Sequence, residues 1–341
     1  MRDMGVNFFL ACRAGSRIGE HAREEGFPVY YFGFEHAFDA ATIVGIWRLI
    51  KLEGIELVHT HSSIDGYCGG IAGRLAGVPV VRSRHLSSPV RSIWKARFTY
   101  GYLPSRVISS GRQIRDYLVV ECGCPAEKHI SVAAGADERR FHPEVDGASR
   151  RREFGFGDRD VVIGIVAVLR SWKGHHVLIE AFDRLRGDFP EARLLIVGDG
   201  PGRNELEEIV TRRELQDWVR FTGHRQDVPE LMKAMDVMVL PSLKNEGTPQ
   251  VLPQAMLVGT PVVCSSAGGI TEVVKDGVHG RVVSPGDARA LAEALREALT
   301  DGETTARMAR AARAHALEHF TFRKQVADTY AVYVELLNQS V

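Results

Sequence analysis

Two short stretches hold the residue types that binding and breaking an anionic substrate would need. The first is Arg170-Ser171-Trp172-Lys173-Gly174, directly after the apolar run 161–169. Two cations at the carboxyl end of a parallel strand, just ahead of a helix N-terminus, make an anion site. Arginine grips a phosphate through two parallel bonds and lysine supplies a compact charge. The second is Pro241-Ser242-Leu243-Lys244-Asn245-Glu246-Gly247-Thr248-Pro249-Gln250, which follows another apolar run and precedes a helix containing Gln254-Ala255. Gly247 lets a ligand approach the backbone, and the first free amides of the helix, near Gln250 and Val251, favour negative charge. A cationic pair and a helix tip together neutralise a diphosphate without a metal. Glu246 is then left to accept hydrogen bonds from the hydroxyls of a neighbouring sugar.

Other constellations carry less. His59-Thr60-His61 reads either as a metal pair or as packing at a strand end. Asp158-Arg159-Asp160 imitates a metal-binding Asp-x-Asp but precedes a strand instead of ending one, which fits a solvated linker. Gly198-x-Gly200-x-Gly202 is not a full dinucleotide fingerprint, because the sixth position is Glu205 after Asn204 and no helix-packing glycine follows. Cys12, Cys68, Cys122, Cys124 and Cys264 show no metal-type spacing and read as reduced thiols. No metal and no cofactor is expected.

The elements that must position these residues alternate almost from end to end. Strand-like runs fall at 6–12, 29–34, 56–61, 79–84, 106–110 and 130–134, with helix-length segments at 16–25, 41–52 and 66–75 between them. After a polar, irregular stretch at 135–143 and a charged one to 160, the pattern restarts. Its runs are 161–169, 193–198, 219–222, 237–241, 261–265 and 281–284, with helices at 176–185, 204–211, 250–258, 288–299 and 322–337. Many runs are continuously apolar, which marks strands buried on both faces of a parallel sheet with helical crossovers. An α/β protein is expected: two Rossmann-like, doubly wound parallel-sheet domains, 1–145 and 146–321, facing a central cleft at the carboxyl ends of both sheets.

Composition excludes several classes. With 341 residues the chain is too long for one small module, and 43 Lys+Arg balance 43 Asp+Glu. The longest apolar, charge-free runs fall far short of the ~20 residues that span a bilayer. No basic-then-apolar leader opens the sequence, so a cytoplasmic protein is expected. Charge is uneven locally: eight Arg or Lys and no acid lie in 82–115, interleaved with Trp94, Phe98, Tyr100 and Tyr102. Such a segment suits an anionic membrane surface or an anionic acceptor, the alternative being a solvated helix face with core aromatics. The neutral balance and the lack of any nucleic-acid motif argue against nucleic acid.

The second half resembles the retaining glycosyltransferases of family 4, which have the GT-B fold. The resemblance rests on Arg170, Lys173-Gly174, Gly198-Asp199-Gly200-Pro201, Phe221-Thr222-Gly223 and Glu246-Gly247-Thr248-Pro249, with Gly259-Thr260-Pro261-Val262-Val263, Gly268-Gly269 and Glu272 downstream. It implies that Arg170 and Lys173 contact the donor diphosphate and Glu246 the donor sugar. Backbone groups of Gly247, Thr248, Gln250 and Val251 would hold sugar and phosphate, and the turn of Gly223, His224 and Arg225 would face the base. The family's second glutamate, which holds the ribose hydroxyls, falls on Gln254, whose carbonyl accepts a hydrogen bond without charge assistance.

The first half matches more loosely, through His59-Thr60-His61, Gly69-Gly70, Val80 to His85 and Gly135-Ala136-Asp137 with Phe141. His85 takes the place of the family's active-site histidine beside the reacting sugar. Residues 322–341 resemble the C-terminal helix that crosses back onto the first domain. The family's opening strand, glycine-rich loop and helix are expected to be missing here, either because the start is truncated or because this member lacks the element, which would leave a sheet edge open to pairing.

What the resemblance implies is a retaining, metal-independent glycosyltransferase. It would move a sugar from a nucleoside-diphosphate donor to a saccharide or lipid-linked acceptor, in cell-envelope polysaccharide or lipopolysaccharide biosynthesis, on the inner face of the membrane. The alternatives are a GT-B sugar-nucleotide epimerase or phosphorylase, and a non-catalytic nucleotide-sugar binder.

Overall fold

The computed structural model describes residues 4–85, 89–90, 92–244 and 246–339. Packing divides the chain into two compact units, Met1–Val132 with Gln325–Val341, and Ala133–Lys324. The division falls at 132, not at 145. Ala136 and Phe141 are buried in the core of the second unit, Ala133 and Val145 pack on that core, and Ala136 bridges to Thr321.

Unit 1 runs β1 (Leu10–Cys12), α1 (Arg17–Glu24), β2 (Val29–Tyr31), α2 (Ala40–Leu52), β3 (Val58–Thr60), α3 (Ser63–Ala76), β4 (Val80–Arg84), α4 (Ile93–Ala96), β5 (Arg106–Ser109), α5 (Arg112–Asp116) and β6 (His129–Ser131). All its strand pairs are parallel. The single expected sheet is two among the described residues, β1-β2 and β3-β4-β5-β6. Ala11 of β1 and Val58 of β3 nevertheless share one apolar cluster with Ile46 and Ile50 of α2 and Cys68 and Ala72 of α3. A second cluster joins Val81 and Ile108 to Val332 and Leu336 of the C-terminal helix, Phe322–Asn338.

The basic segment 82–115 has no single solvated face. It folds into β4, α4, a wide i→i+5 helical turn at Arg97–Tyr102, β5 and the start of α5. Arg82 is buried while Lys95 and Arg97 are exposed. Leu86, Ser87, Ser88 and Arg91 of this segment lie outside the described residues, as do Asn245 and, in the expected helix 322–341, Ser340 and Val341.

Unit 2 runs α6 (Ala148–Glu153), β7 (Val161–Val166), α7 (His175–Leu185), β8 (Ala192–Val197), α8 (Arg203–Arg212), β9 (Val219–Gly223), α9 (Val228–Ala234), β10 (Val237–Leu240), α10 (Val251–Val258), β11 (Val262–Ser265), α11 (Ile270–Val273), β12 (Arg281–Val283), α12 (Ala288–Thr300) and α13 (Gly302–His319). Its strands form one parallel sheet in the order β12-β11-β10-β7-β8-β9, the Rossmann arrangement. Ile163 and Ile165 face α7 and α12 in one cluster, and Met238 and Leu240 face α10 and α13 in the other. Burial on both faces explains why β7 and β10 read as unbroken apolar runs, each buried side chain contributing about 1.5–3 kcal/mol.

Candidate functional site

The order of this sheet puts β7 beside β10, and the chain leaves them in opposite directions, toward β8 and toward β11. Their carboxyl ends therefore flank the switch point where open α/β sheets hold ligands. The loop after β7 carries Arg170 and Lys173, and the loop after β10 carries Glu246. Gly174 locks the two loops together: its φ is +73°, and a Cβ there would lie 2.0 Å from the Pro241 carbonyl oxygen. Leu243 N–H donates to the Trp172 carbonyl at 2.7 Å across the same seam. From the other side Gly268, at φ +58°, lies so close that a Cβ would come within 2.2 Å of the Glu246 carbonyl oxygen. Gly269 N–H donates to that oxygen at 3.1 Å.

Glu246 is thus held in a closed seat, only 6% exposed. Lys173 Nζ donates to its Oε1 at 2.6 Å, and Ser242 Oγ donates to the same oxygen at 2.6 Å. Ser265 Oγ fixes the Ser242 backbone by donating to its carbonyl at 2.5 Å. A carboxylate in such a seat is no solvated loop acid. It is a buried charge matched by one ammonium and one hydroxyl, with geometry set by backbone contacts on both sides.

Arg170 stands exposed at the rim, its guanidinium stacked over Trp172 at 5.0 Å. His175 opens α7 with its side chain 98% hidden, or 2% exposed, and its Nε2 without a partner among the described residues. Burial first, then the charges of Lys173 and His176, push its pKa down to about 4. Gly247, in the loop before α10, and Val251, its first residue, are half-buried, and Gln250 Nε2 donates to the Gly135 carbonyl at 3.2 Å. Thr248 Oγ1 is buried with no partner among the described residues. Gln254 is half-buried in the first turn of α10.

The turn after β9 departs from expectation. Gly223 takes a positive φ and His224 is exposed, but the Arg225 guanidinium is already engaged. It bonds Asp227 at 2.8 and 2.7 Å and Glu153 at 2.6 and 3.1 Å, and lies 5.7 Å over Phe154. Asp227, then Glu153, raise the Arg225 pKa, while Arg225 lowers both carboxyls. Its fork ties α6 to the turn, and His224 beside it is exposed.

His85 belongs to unit 1, at the exposed end of β4. Its Nε2 lies 3.5 Å from His61 Nδ1, with the rings parallel to within 1°. His59 places its ring nitrogens against the Tyr333 hydroxyl at 2.5 Å and Ser83 Oγ at 2.8 Å. Both nitrogens of His59 are therefore used, and the pair His59/His61 is strand-end packing. Among the described residues no group of three His, Cys, Asp or Glu could hold a metal. Burial lowers the pKa of all three histidines, most for His59. The cysteines are buried and free.

Sequence reasoning missed Ser242, Trp172 and His175. Ser242 stood four residues before Glu246 at a strand end, a spacing that means nothing until the loop is folded.

Known proteins share this arrangement. Residues 148–315 match the family described as Glycosyl transferases group 1, and residues 1–140 match Glycosyltransferase Family 4. A UDP-Gal:alpha-D-GlcNAc-diphosphoundecaprenol alpha-1,3-galactosyltransferase of Escherichia coli is 28% identical over 314 residues, covering 88% of this chain and 80% of the relative. A D-inositol 3-phosphate glycosyltransferase of Salinispora arenicola is 30% identical over 311 residues, 82% of this chain and 68% of the relative. Among solved structures, Anabaena HepE in complex with UDP has a TM-score of 0.85 at 26% identity, covering 95% of this chain and 92% of that one. A glycosyltransferase from Rickettsia africae shares the fold with a TM-score of 0.90 at 18% identity, covering 98% of this chain and 92% of that one. Two Rossmann-like domains with this switch-point site define the GT-B glycosyltransferases that use nucleotide-sugar donors. The chain belongs to the retaining glycosyltransferases of family 4.

Proposed function

We propose that this chain transfers a sugar from a nucleoside-diphosphate donor to a hydroxyl of a saccharide or lipid-linked acceptor in cell-envelope polysaccharide or lipopolysaccharide synthesis. The observation that carries the reading is the buried Lys173–Glu246 pair at the switch point. Donor diphosphate draws Lys173 toward its phosphate oxygens, beside Arg170 and the free amides of α10, and the vacated Glu246 oxygen receives hydroxyls of the sugar. The bond from the anomeric carbon to the diphosphate breaks as the acceptor oxygen bonds that carbon from the same face. The acceptor proton passes to the departing phosphate oxygen. Arg170, Lys173 and the amides stabilise the charge that develops there, a preorganised electrostatic effect. His85 hydrogen-bonds a hydroxyl of the reacting sugar or shuttles a proton. Gln254 takes a ribose hydroxyl, and Gly223 and His224 border the base.

The test is the double variant Arg170→Ala/Lys173→Ala, assayed for transfer and for donor binding by thermal shift across nucleotide sugars, UDP-sugars first. Loss of both with an intact fold supports the assignment; unchanged turnover discards it. Release of free nucleoside diphosphate only when acceptor is present separates transfer from epimerisation, and donor binding without any turnover would mark a non-catalytic binder.

The name of the E. coli relative points to a lipid-linked acceptor. No helix among the described residues is long and apolar enough to cross a membrane. Trp94 is 80% exposed, with Ile93 and Tyr102 also exposed beside Lys95 and Arg97, a set suited to the headgroup layer of an anionic membrane. Co-sedimentation with anionic but not neutral vesicles supports peripheral attachment at the inner face of the cell membrane; equal sedimentation with both counts against it.

A further inference from the structure

In unit 1 a charged side chain is buried without a counter-charge. Arg82, in the middle of β4, is 3% exposed, and its Nε and Nη1 have no hydrogen-bond partner among the described residues. Arginine does not shed its proton to escape this cost. Removing such an ion from water is costly even after relaxation. The stacking of its guanidinium over Tyr100, at 4.8 Å, returns only part of that cost.

Its surroundings make room for the guanidinium and supply no acid. A Cβ on Gly66 of α3 would lie 1.1 Å from Arg82 Nη1, so a larger residue there would have to push the guanidinium aside. Asp65, one residue earlier, is occupied by the Ser62 and His61 backbone N–H groups and the Ser62 hydroxyl. No carboxylate pairs with Arg82 among the described residues, and the sequence carries no acid between 82 and 115. Two residues on, and on the same face of β4, Arg84 lies 5.1 Å from the same Tyr100 ring and donates from Nη1 to its hydroxyl at 2.8 Å. Two guanidiniums thus flank one aromatic ring in a strip that runs from the interior to the half-buried end of the strand.

We propose that Arg82 and Arg84 form a phosphate subsite, which receives a phosphate or diphosphate group of the acceptor. The chemistry matches on three counts. A planar fork binds phosphate oxygens bidentately, the half-buried Arg84 lends a second positive charge beside the same ring, and a multiply charged oxyanion can satisfy the Arg82 donors that a sugar hydroxyl would leave charged. The inference rests on the transferase reading above and names its acceptor class. A soluble sugar phosphate and a lipid-linked sugar diphosphate carry the same group.

The experiment titrates inorganic pyrophosphate into the full chain held in saturating nucleoside diphosphate, so that the Arg170–Lys173 site is already filled. Calorimetry should show one further site, weakened at least tenfold in Arg82→Met and about threefold in Arg84→Gln, while the affinity for nucleoside diphosphate stays unchanged in both. If Arg82→Met does not fold, the exposed-end variant Arg84→Gln and the rise of the wild-type melting point with pyrophosphate still read the site. Displacement of pyrophosphate by a soluble hexose phosphate, by a short polyprenyl diphosphate in detergent, or by both identifies the source of the group. No binding beyond the nucleotide site, equal binding by wild type and both variants, or displacement by neither compound overturns the proposal. Loss of nucleoside diphosphate binding in Arg170→Ala/Lys173→Ala is scored separately, so the two readings fail independently.

Discussion

At the switch point of unit 2 the buried Glu246 carboxylate meets an ammonium and a hydroxyl, each at 2.6 Å, whereas in unit 1 the buried Arg82 guanidinium meets an aromatic ring and a glycine. Glu246 lies in the loop beyond the carboxyl end of β10 and Arg82 in the middle of β4, both interior strands of parallel sheets, and both charges are dear to desolvate. Unit 2 neutralises its charge from within, so on the proposed reading a donor would have to exchange an internal partner to bind. Unit 1 leaves its charge open, so a ligand anion would be the partner. A preformed ion pair gives selectivity by competition, and an unmatched cation gives it by attraction. The frames differ in the same sense: six continuous strands in unit 2, and two separate sheets among the described residues of unit 1.

The sharpest way to break this contrast is Glu246→Ala. It strands Lys173 in a mostly buried site, and we expect about 3–5 kcal/mol of lost stability in urea unfolding and roughly 100- to 1,000-fold lower turnover. An unfolding midpoint and rate equal to wild type would mean that the pair is ornamental. Next in size is a matched pair of glycines. Gly174 and Gly26 have φ of +73° and +74°, but a Cβ on Gly174 would strike the Pro241 carbonyl while one on Gly26 meets nothing within 4 Å. Gly26→Ala should cost only the backbone term, ~1–2 kcal/mol, and Gly174→Ala clearly more, with loss of donor binding; equal costs would refute the loop seam.

Acid should expose the buried imidazoles. In the folded protein the pKa of His175 is about 4, below its ordinary value of 6.5, so the unfolded chain binds the proton more readily. This stabilisation is complete above about pH 6.5 and drains away as the pH falls toward 4, in total about 3 kcal/mol. His175→Gln should flatten that slope, as read from unfolding midpoints between pH 7 and 4.5; an unaltered slope would place the proton uptake elsewhere, with His59 of unit 1 next in line. The smallest effect is Gln254→Glu. A charged acceptor for a ribose hydroxyl should tighten donor binding by about 1 kcal/mol, severalfold in Kd by calorimetry. Unchanged affinity would take Gln254 out of the donor site.

Much of unit 2 was legible in advance because its strands are buried on both faces and its key loops are punctuated by glycines. The runs at 161–169 and 237–241 became β7 and β10, and the Arg170–Lys173 and Glu246 loops emerged from their ends. Unit 1 was harder to read. Three-residue strands such as β1 and β3 carry little pattern, and the basic segment 82–115, read as facing a membrane, an anionic acceptor or solvent, in fact buries Arg82 in β4. Arg225 was assigned to the base from its place in a motif, but Glu153 and Asp227 capture it, and Glu153 lies 72 residues away along the chain.

The amino-acid order by itself determined the class of fold, the site of the switch point and the residue types that reach it. Periodicity, apolar runs and glycine positions are local properties that any stretch of chain carries with it. Which charges are paired was decided only by tertiary structure. Lys173 meets Glu246 across 73 residues, and Arg82 meets Tyr100 but no acid among the described residues, because partners of a buried charge come from whichever strands and loops the sheet order brings together.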